Sequence, residues 1–330
     1  MLNKASTSIE ISKDRYELLE EIKENNYKRI LIVGNVDVGK TTLINFLSNN
    51  LNCGILDLDV GQKSILPPAT ISLKYSFLVK HYFIGSTTPA QFIGEMIVGA
   101  NKLANLVNDL VLIDTPGFIY GIGGELIKLL IESLKPDLIV GIERDKELRN
   151  LLRYENVKFL KSYSNKTYSK EERKKIREEK WKKYFENSKE IIINFKDFIL
   201  SGSKLFYGVK ITENEKYLIE NLLKWKILYG SRIDKQYIIV KEDLERIHIS
   251  LDRNFIFYLD KDRFLNLLVG LIDKDGFCEG LGIVKEIDFE NETLKILTPI
   301  SLDNIKEIRF GRIKINDDFT EGAYLDRELI

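Results

Sequence analysis

Two cysteines, two histidines, two methionines, two tryptophans and six prolines are all that 330 residues contain of these types. Cys53 and Cys278 lie far apart and neither has a partner at metal-ligand spacing. That argues against a disulfide framework and fits a reducing interior. His81 and His248 are too few for a histidine-built metal site. No stretch reaches the roughly 18 apolar residues that a membrane helix needs, and residues 1–14 lack the apolar core of an export signal. The expectation is therefore a cytoplasmic protein without a membrane partner. Net charge is also missing, since 50 basic residues balance 50 acidic ones. Any nucleic-acid surface must then be a local patch. The Lys-, Glu- and Ile-rich, Met-, Cys- and His-poor composition suits a thermophile.

What is present is concentrated early in the chain. Residues 30–33 are all aliphatic, and the next eight are Gly34, Asn35, Val36, Asp37, Val38, Gly39, Lys40 and Thr41, followed by Thr42 and an amphipathic stretch. Strand, glycine loop and helix in that order form a phosphate-binding loop. Gly34 and Gly39 permit backbone angles and close approaches that a β-carbon obstructs. Loop amides and the helix start then face a polyphosphate. Lys40 reaches the β- and γ-phosphates and the Thr41 hydroxyl is placed for Mg²⁺. The motif implies a nucleoside triphosphate and Mg²⁺, and leaves the acceptor open.

Further buried strands are expected at 54–59, 110–114 and 137–142, with helices at 14–26, 41–51, 89–106 and 125–134. Alternation of this kind predicts an α/β P-loop NTPase fold, with a mainly parallel sheet covered by helices. Ligands bind such sheets at the carboxyl ends of the strands, so Asp59 and Asp114 should share a rim with the phosphate loop. Beyond about residue 230 come short β-like runs at 236–240, 247–251, 255–259, 264–271, 282–287, 293–297 and 305–315. These predict a smaller, mainly β C-terminal domain. The expected division is a lead-in over 1–27, a P-loop domain over 28–230 and the β-rich domain over 231–330.

Two other stretches carry chemistry. In the segment from Asp57 to Gln62, a carboxylate at a strand end can hold a metal through water or take a proton from an attacking hydroxyl. Gln62 can orient a nucleophile. Residues 158–183 hold eleven basic residues against four glutamates. Ser169 and the acids after it read as a helix start, and Arg173 and Arg177 share a face. The segment reads either as a solvated helix or as a lid that brings arginines over phosphates. Asp114-Thr-Pro-Gly117 invites comparison with switch GTPases. However, neither Asn101-Lys102 nor Asn165-Lys166 is followed by the aspartate that reads guanine. Phe118 is either a base-stacking platform or a core side chain.

Together these segments resemble the polynucleotide 5′-hydroxyl kinases associated with RNA cleavage factors and nucleolar pre-ribosomal RNA processing, including archaeal members. The likeness lies in Asp37 inside the loop, in Asp57-Leu-Asp59-Val-Gly-Gln62, and in Phe83-Ile-Gly-Ser-Thr-Thr-Pro89, which resembles the family's clasp for the acceptor nucleotide. It extends to residues 113–123, to an arginine lid at about 165–185, and to Leu268–Val284 and Leu297–Ile300 in the second domain. Asp114 stands where the family usually has Asn, and Phe118 where it has the stacking Trp. The N-terminal β-domain of some relatives has no counterpart in the lead-in.

The resemblance implies a kinase that moves the γ-phosphate of ATP or another NTP to the 5′-hydroxyl end of RNA, or of DNA, with Mg²⁺ and with RNA-processing proteins as partners. It assigns catalysis to Lys40, Asp59, Gln62, Arg173 and Arg177, and nucleotide binding to residues 34–42, where Thr42 contacts the α-phosphate. It assigns the metal to Thr41 and Asp59, and nucleic acid to Gln62, Thr87, Thr88 and Phe118. The alternatives are a non-catalytic nucleotide-binding adaptor in an RNA-processing complex, an NTPase switch and a small-metabolite kinase.

Overall fold

The structure, a computed structural model, describes residues 12–165, 167–242 and 255–326. The strand expected at 247–251 lies outside the described residues, as does Lys166. The chain forms two compact units. The first runs up to Asp59 and includes Leu73–Val79 and Ile93–Tyr168. The second comprises Val60–Ser72, Lys80–Phe92 and the chain from Ser169 onward. No helix among the described residues is long and apolar enough to cross a membrane.

The chain opens with α1 (Lys13–Glu24), β1 (Arg29–Gly34), α2 (Lys40–Ser48) and β2 (Gly54–Asp57). It continues through β3 (Thr70–Tyr75) and β4 (Leu78–Phe83), which contribute residues to both units. Then come α3 (Ile93–Ala104), β5 (Val111–Asp114), α4 (Ile122–Leu134), β6 (Leu138–Glu143) and β7 (Val157–Lys161). Within the first unit the strands lie in the order β2-β5-β1-β6-β7, every neighbouring pair parallel. Their apolar runs need cover on both faces. Helices α1 and α2 bury Leu18, Ile22, Leu43 and Leu47 against Ile30, Ile32, Leu112 and Val140. The alternate strand residues Leu31, Ile113 and Ile139 are fully buried as well. Leu126, Leu130 and Leu134 recur at helical spacing along the buried stripe of α4.

The second unit contains α5 (Lys170–Phe185), β8 (Lys189–Asn194), β9 (Ile199–Ser201), β10 (Val209–Lys210), α6 (Glu213–Leu223), β11 (Ile227–Ile233), β12 (Gln236–Lys241) and β13 (Ile256–Asp260). It ends with β14 (Leu267–Asp273), β15 (Cys278–Asp288), β16 (Thr293–Thr298), β17 (Ile305–Ile315) and β18 (Glu321–Tyr324). Strand β14 lies between β17 and β15, β16 joins β15 to β8, and β18 borders β17, all antiparallel. Strands β10 to β13 form a separate four-stranded sheet.

The division departs from the expected boundary at 230. The reason lies in α5, where only Trp181 and Phe185 of sixteen residues are buried. Both belong to one apolar cluster with Leu268, Leu281, Ile283 and Ile313. Tyr184 adds a hydrogen bond from the Leu281 amide to its hydroxyl at 2.8 Å. The basic helix is therefore part of the strand-rich unit. Its start is capped reciprocally, with the Glu172 amide donating to Ser169 Oγ at 3.1 Å and the Ser169 amide to Glu172 Oε2 at 2.7 Å.

Trp181→Ala should cost about 3–5 kcal/mol of stability, read as a lower urea midpoint; an unchanged midpoint would show that α5 is not anchored by this ring. A second expectation concerns His81, whose Nδ1 lies 2.8 Å from Ser72 Oγ. Burial, with the Lys63 and Lys80 ammonium groups, pushes its imidazole down to about 4. The unfolded chain takes up this proton near pH 6.5, so the contribution is complete above that pH and is lost as pH falls toward 4. His81→Gln should flatten the fall in melting temperature between pH 7 and pH 4.5, and an equally steep fall in the variant would refute the assignment.

Candidate active site

Strand β1 delivers Gly34 to the carboxyl rim of the parallel sheet. A β-carbon there would lie 2.7 Å from Val38 Cγ2 and 2.8 Å from the Ile142 carbonyl oxygen. Gly39 ends the loop with φ +102° and caps α2. These two positions explain why glycine brackets the loop. Lys40, the first residue of α2, is buried, and its Nζ donates to the carbonyl oxygens of Gly34 and Asn35, each at 2.9 Å. Its ammonium is thereby folded over the loop. Thr41 and Thr42 follow, both exposed. The third wall is the segment after β5, where a β-carbon on Gly117 would lie 2.5 Å from Val36 Cγ1 and 2.8 Å from the Val36 amide nitrogen.

Carboxylates gather beside the loop. The register of the parallel strands pairs Asp57 with Asp114 and Asp114 with Ile32. Strand β2 thus ends at Asp57, two residues before the expected Asp59. Asp57 is buried, while Asp59 is half-buried and donates its amide to Asp57 Oδ1 at 3.0 Å. Asp114 Oδ2 accepts the Thr41 hydroxyl at 3.2 Å, whereas its buried Oδ1 has no hydrogen-bond partner among the described residues. Burial raises the Asp114 carboxyl above the usual carboxylate range, the Lys40 ammonium opposes this, and the charges of Asp57 and Asp59 add to it.

An orphaned carboxylate oxygen beside two more carboxylates and a threonine hydroxyl is a donor set that fits a hard divalent cation. Among the described residues no three acidic, His or Cys side chains close on one point as a metal cage. A cation here would draw the rest of its shell from phosphate oxygens and water.

The other expected residues fall as follows. Asp37 adopts φ +59°, its carbonyl accepts Arg144 Nη2 at 3.0 Å and its Oδ2 accepts the Tyr168 amide at 3.0 Å. Phe118 lies in the first unit and is 40% exposed, so it is not a core side chain. Gln62, Thr87, Thr88, Arg173 and Arg177 all belong to the second unit. There, Gln62 Nε2 donates to the Arg173 carbonyl at 3.5 Å. The clasp loop is pinned by strand β17, because a β-carbon on Gly85 would lie 2.7 Å from Gly311 Cα, and the Arg312 amide donates to the Gly85 carbonyl at 2.7 Å. Ser86 Oγ accepts the Thr88 amide at 2.9 Å and also meets the Tyr324 hydroxyl of β18.

Arg177 departs from the simple lid picture. Its Nε and Nη2 donate to the two carboxylate oxygens of Glu321, each at 2.8 Å, and Trp181 Nε1 reaches Glu321 Oε1 at 3.3 Å. This fork ties α5 to β18. Sequence reasoning missed Glu321, Arg144 and the burial of Asp57. Only Asp57 had a signal, since it directly follows the apolar pair Ile55-Leu56.

A phosphate loop on the central strand of a parallel sheet, with a lysine folded over it and carboxylates on the same rim, defines a P-loop nucleotide-binding protein. Residues 34–187 match the family model described as mRNA cleavage and polyadenylation factor CLP1 P-loop. The polyribonucleotide 5′-hydroxyl-kinase of Methanocaldococcus jannaschii is 50% identical, over 100% of this chain and 99% of its own. That of Pyrococcus furiosus is 44% identical over 100% and 99%. Rat polyribonucleotide 5′-hydroxyl-kinase Clp1 is 26% identical over 50% of this chain and 47% of its own. A chain in the structure of the wild-type Clp1p–Pcf11p complex shares the fold, with a TM-score of 0.60 at 12% identity, covering 92% of this chain and 79% of that one. The chain belongs to the polyribonucleotide 5′-hydroxyl-kinase family.

Gly117→Ala should push the segment after β5 off Val36, raise the dissociation constant for ATP by tenfold or more, and cost about 1–3 kcal/mol of stability, read as a lower melting temperature. Wild-type affinity in that variant would show that the segment does not shape the loop.

Proposed function

We propose that the protein transfers the γ-phosphate of ATP, or of another nucleoside triphosphate, to the 5′-hydroxyl end of RNA. The observation that carries this reading is an intact Lys40 folded over the phosphate loop, with Asp57, Asp59 and Asp114 beside it. The names of full-length relatives at 44–50% identity support the same activity.

In the proposed reaction the loop amides and Lys40 hold the β- and γ-phosphates. Asp59 accepts the proton of the 5′-hydroxyl as its oxygen attacks the γ-phosphorus. The bond from that phosphorus to the β,γ-bridging oxygen breaks, and a nucleoside diphosphate leaves. Asp59 suits this role because it is less buried than Asp57 and Asp114, with its amide fixed on Asp57. Mg²⁺, when bound, neutralises charge on the phosphate oxygens, and Thr41, Asp59 and Asp114 are the residues that would hold it. Thr42 contacts the α-phosphate. Thr87, Thr88 and Phe118 hold the terminal nucleotide, Gln62 orients its hydroxyl, and Arg173 stabilises charge on the phosphoryl group in flight. Arg177, held by Glu321, positions α5.

The test is transfer of labelled γ-phosphate to a 5′-hydroxyl oligonucleotide, with ATP or GTP as donor and RNA or DNA as acceptor. Lys40→Ala and Asp59→Asn should each lower kcat by about 10²–10⁴-fold, and chelation of divalent cations should abolish transfer until Mg²⁺ is restored. No transfer by the wild type in any combination would sink the kinase reading in favour of an adaptor.

A further inference from the structure

The first unit contains a cavity of about 250 Å³ that the proposed chemistry leaves unused. It is lined by the segment just after Phe118, by the first turns of α4, and by the 3-10 turn Arg149–Arg153 with Tyr154. The chain between Phe118 and α4 is folded so tightly that a β-carbon on Gly123 would lie 2.0 Å from the Phe118 carbonyl oxygen and 2.7 Å from its ring Cδ1. The cavity therefore begins where the platform proposed for the terminal base ends.

Its lining suits an unpaired nucleotide. Tyr120 is 60% exposed, a cost for an aromatic ring that a stacked base would remove. Elsewhere in the lining the Arg153 guanidinium lies 4.7 Å from the Tyr154 ring centroid. That stack offers a flat cationic face to a base or phosphate. Asn150 supplies an amide with both donor and acceptor, and Lys128 a second cation, 4.0 Å from Glu125. The volume is below that of a drug-sized pocket, in keeping with one planar ring and little more.

We infer that this cavity is a second acceptor subsite, which takes the nucleotide immediately downstream of the 5′-hydroxyl end. Its base stacks on Tyr120 and its backbone phosphate faces Arg153. The inference rests on the RNA-kinase reading. Under it, the enzyme measures more of its acceptor than the reacting nucleotide. A single nucleotide would leave the cavity unused, and a longer strand would gain the second site.

The test compares a nucleoside 3′-monophosphate with 5′-hydroxyl RNAs of two and ten nucleotides. For the wild type, KM should fall about five- to hundredfold between the first and the second acceptor. Tyr120→Ala and Arg153→Ala, both at exposed side chains, should remove most of that fall while the mononucleotide rate stays as in wild type. Tyr120→Phe should retain it, because the ring remains. Equal KM values for one and two nucleotides in the wild type would overturn the subsite and leave the kinase intact. So would variants that keep the full length dependence, or that raise the KM for ATP instead. No transfer to any acceptor would overturn both readings.

Discussion

The phosphate site is built around a carboxylate that is expensive to bury. Asp114 sits on the second strand of the parallel sheet, between Asp57 on one side and Ile32 on the other, with one oxygen lacking a donor among the described residues. A buried charge of this kind persists only where cations or hydrogen bonds compensate it. Two compensations are present, the Lys40 ammonium and the Thr41 hydroxyl, and both come from the start of α2. The loop that cradles phosphate is thus the same loop that stabilises the carboxylate. A bound divalent cation would bring further positive charge to this carboxylate, whereas the phosphates of a nucleotide would draw on the same Lys40 ammonium.

The strand-rich second unit has a comparable logic in different materials. Its sheet holds the two segments that the family resemblance assigns to the acceptor and to the moving phosphoryl group. Strands β17 and β18 fix the clasp through Gly311, Arg312 and Tyr324. Trp181 and Phe185 sink α5 into the cluster under β14 and β15, and the Arg177–Glu321 fork fixes its rotation. A bidentate arginine–carboxylate pair that is mostly shielded from water constrains geometry more tightly than an exposed ion pair does. A helix with almost no apolar surface thereby acquires a defined seat.

Much of this was legible in the sequence, and the parts that were not have physical reasons. The phosphate loop, the parallel strands and the Ser169 cap are local patterns, set by residues a few positions apart. The end of β2 was read two residues late because Leu58 and Val60 continue the apolar run, and only the pairing with β5 shows where the ladder stops. Strand β3 follows two prolines and β8 follows a basic helix, so composition hid both. The Arg177–Glu321 pairing was not legible because the two partners lie 144 residues apart. Phe118 was undecided between core and surface, since spacing carries no information about exposure at a turn. The membership of α5 in the strand-rich unit was hidden for a related reason. The charge run around α5 masks the two aromatic residues that decide which core the helix joins.

Asp37 shows how a position left free by the general phosphate-loop pattern becomes specific. Its backbone is left-handed, a conformation that Asp and Asn tolerate better than other non-glycine residues. Its carbonyl is then turned to Arg144 and its carboxylate to the Tyr168 amide. Tyr168 is followed directly by Ser169, the cap of the arginine-bearing helix. A hydrophobic residue at position 37 would preserve the eight-residue motif yet lose the acceptor that holds Tyr168. The aspartate at this position therefore acts on the chain that leads into the arginine-bearing helix, a role that the phosphate-loop motif itself does not require.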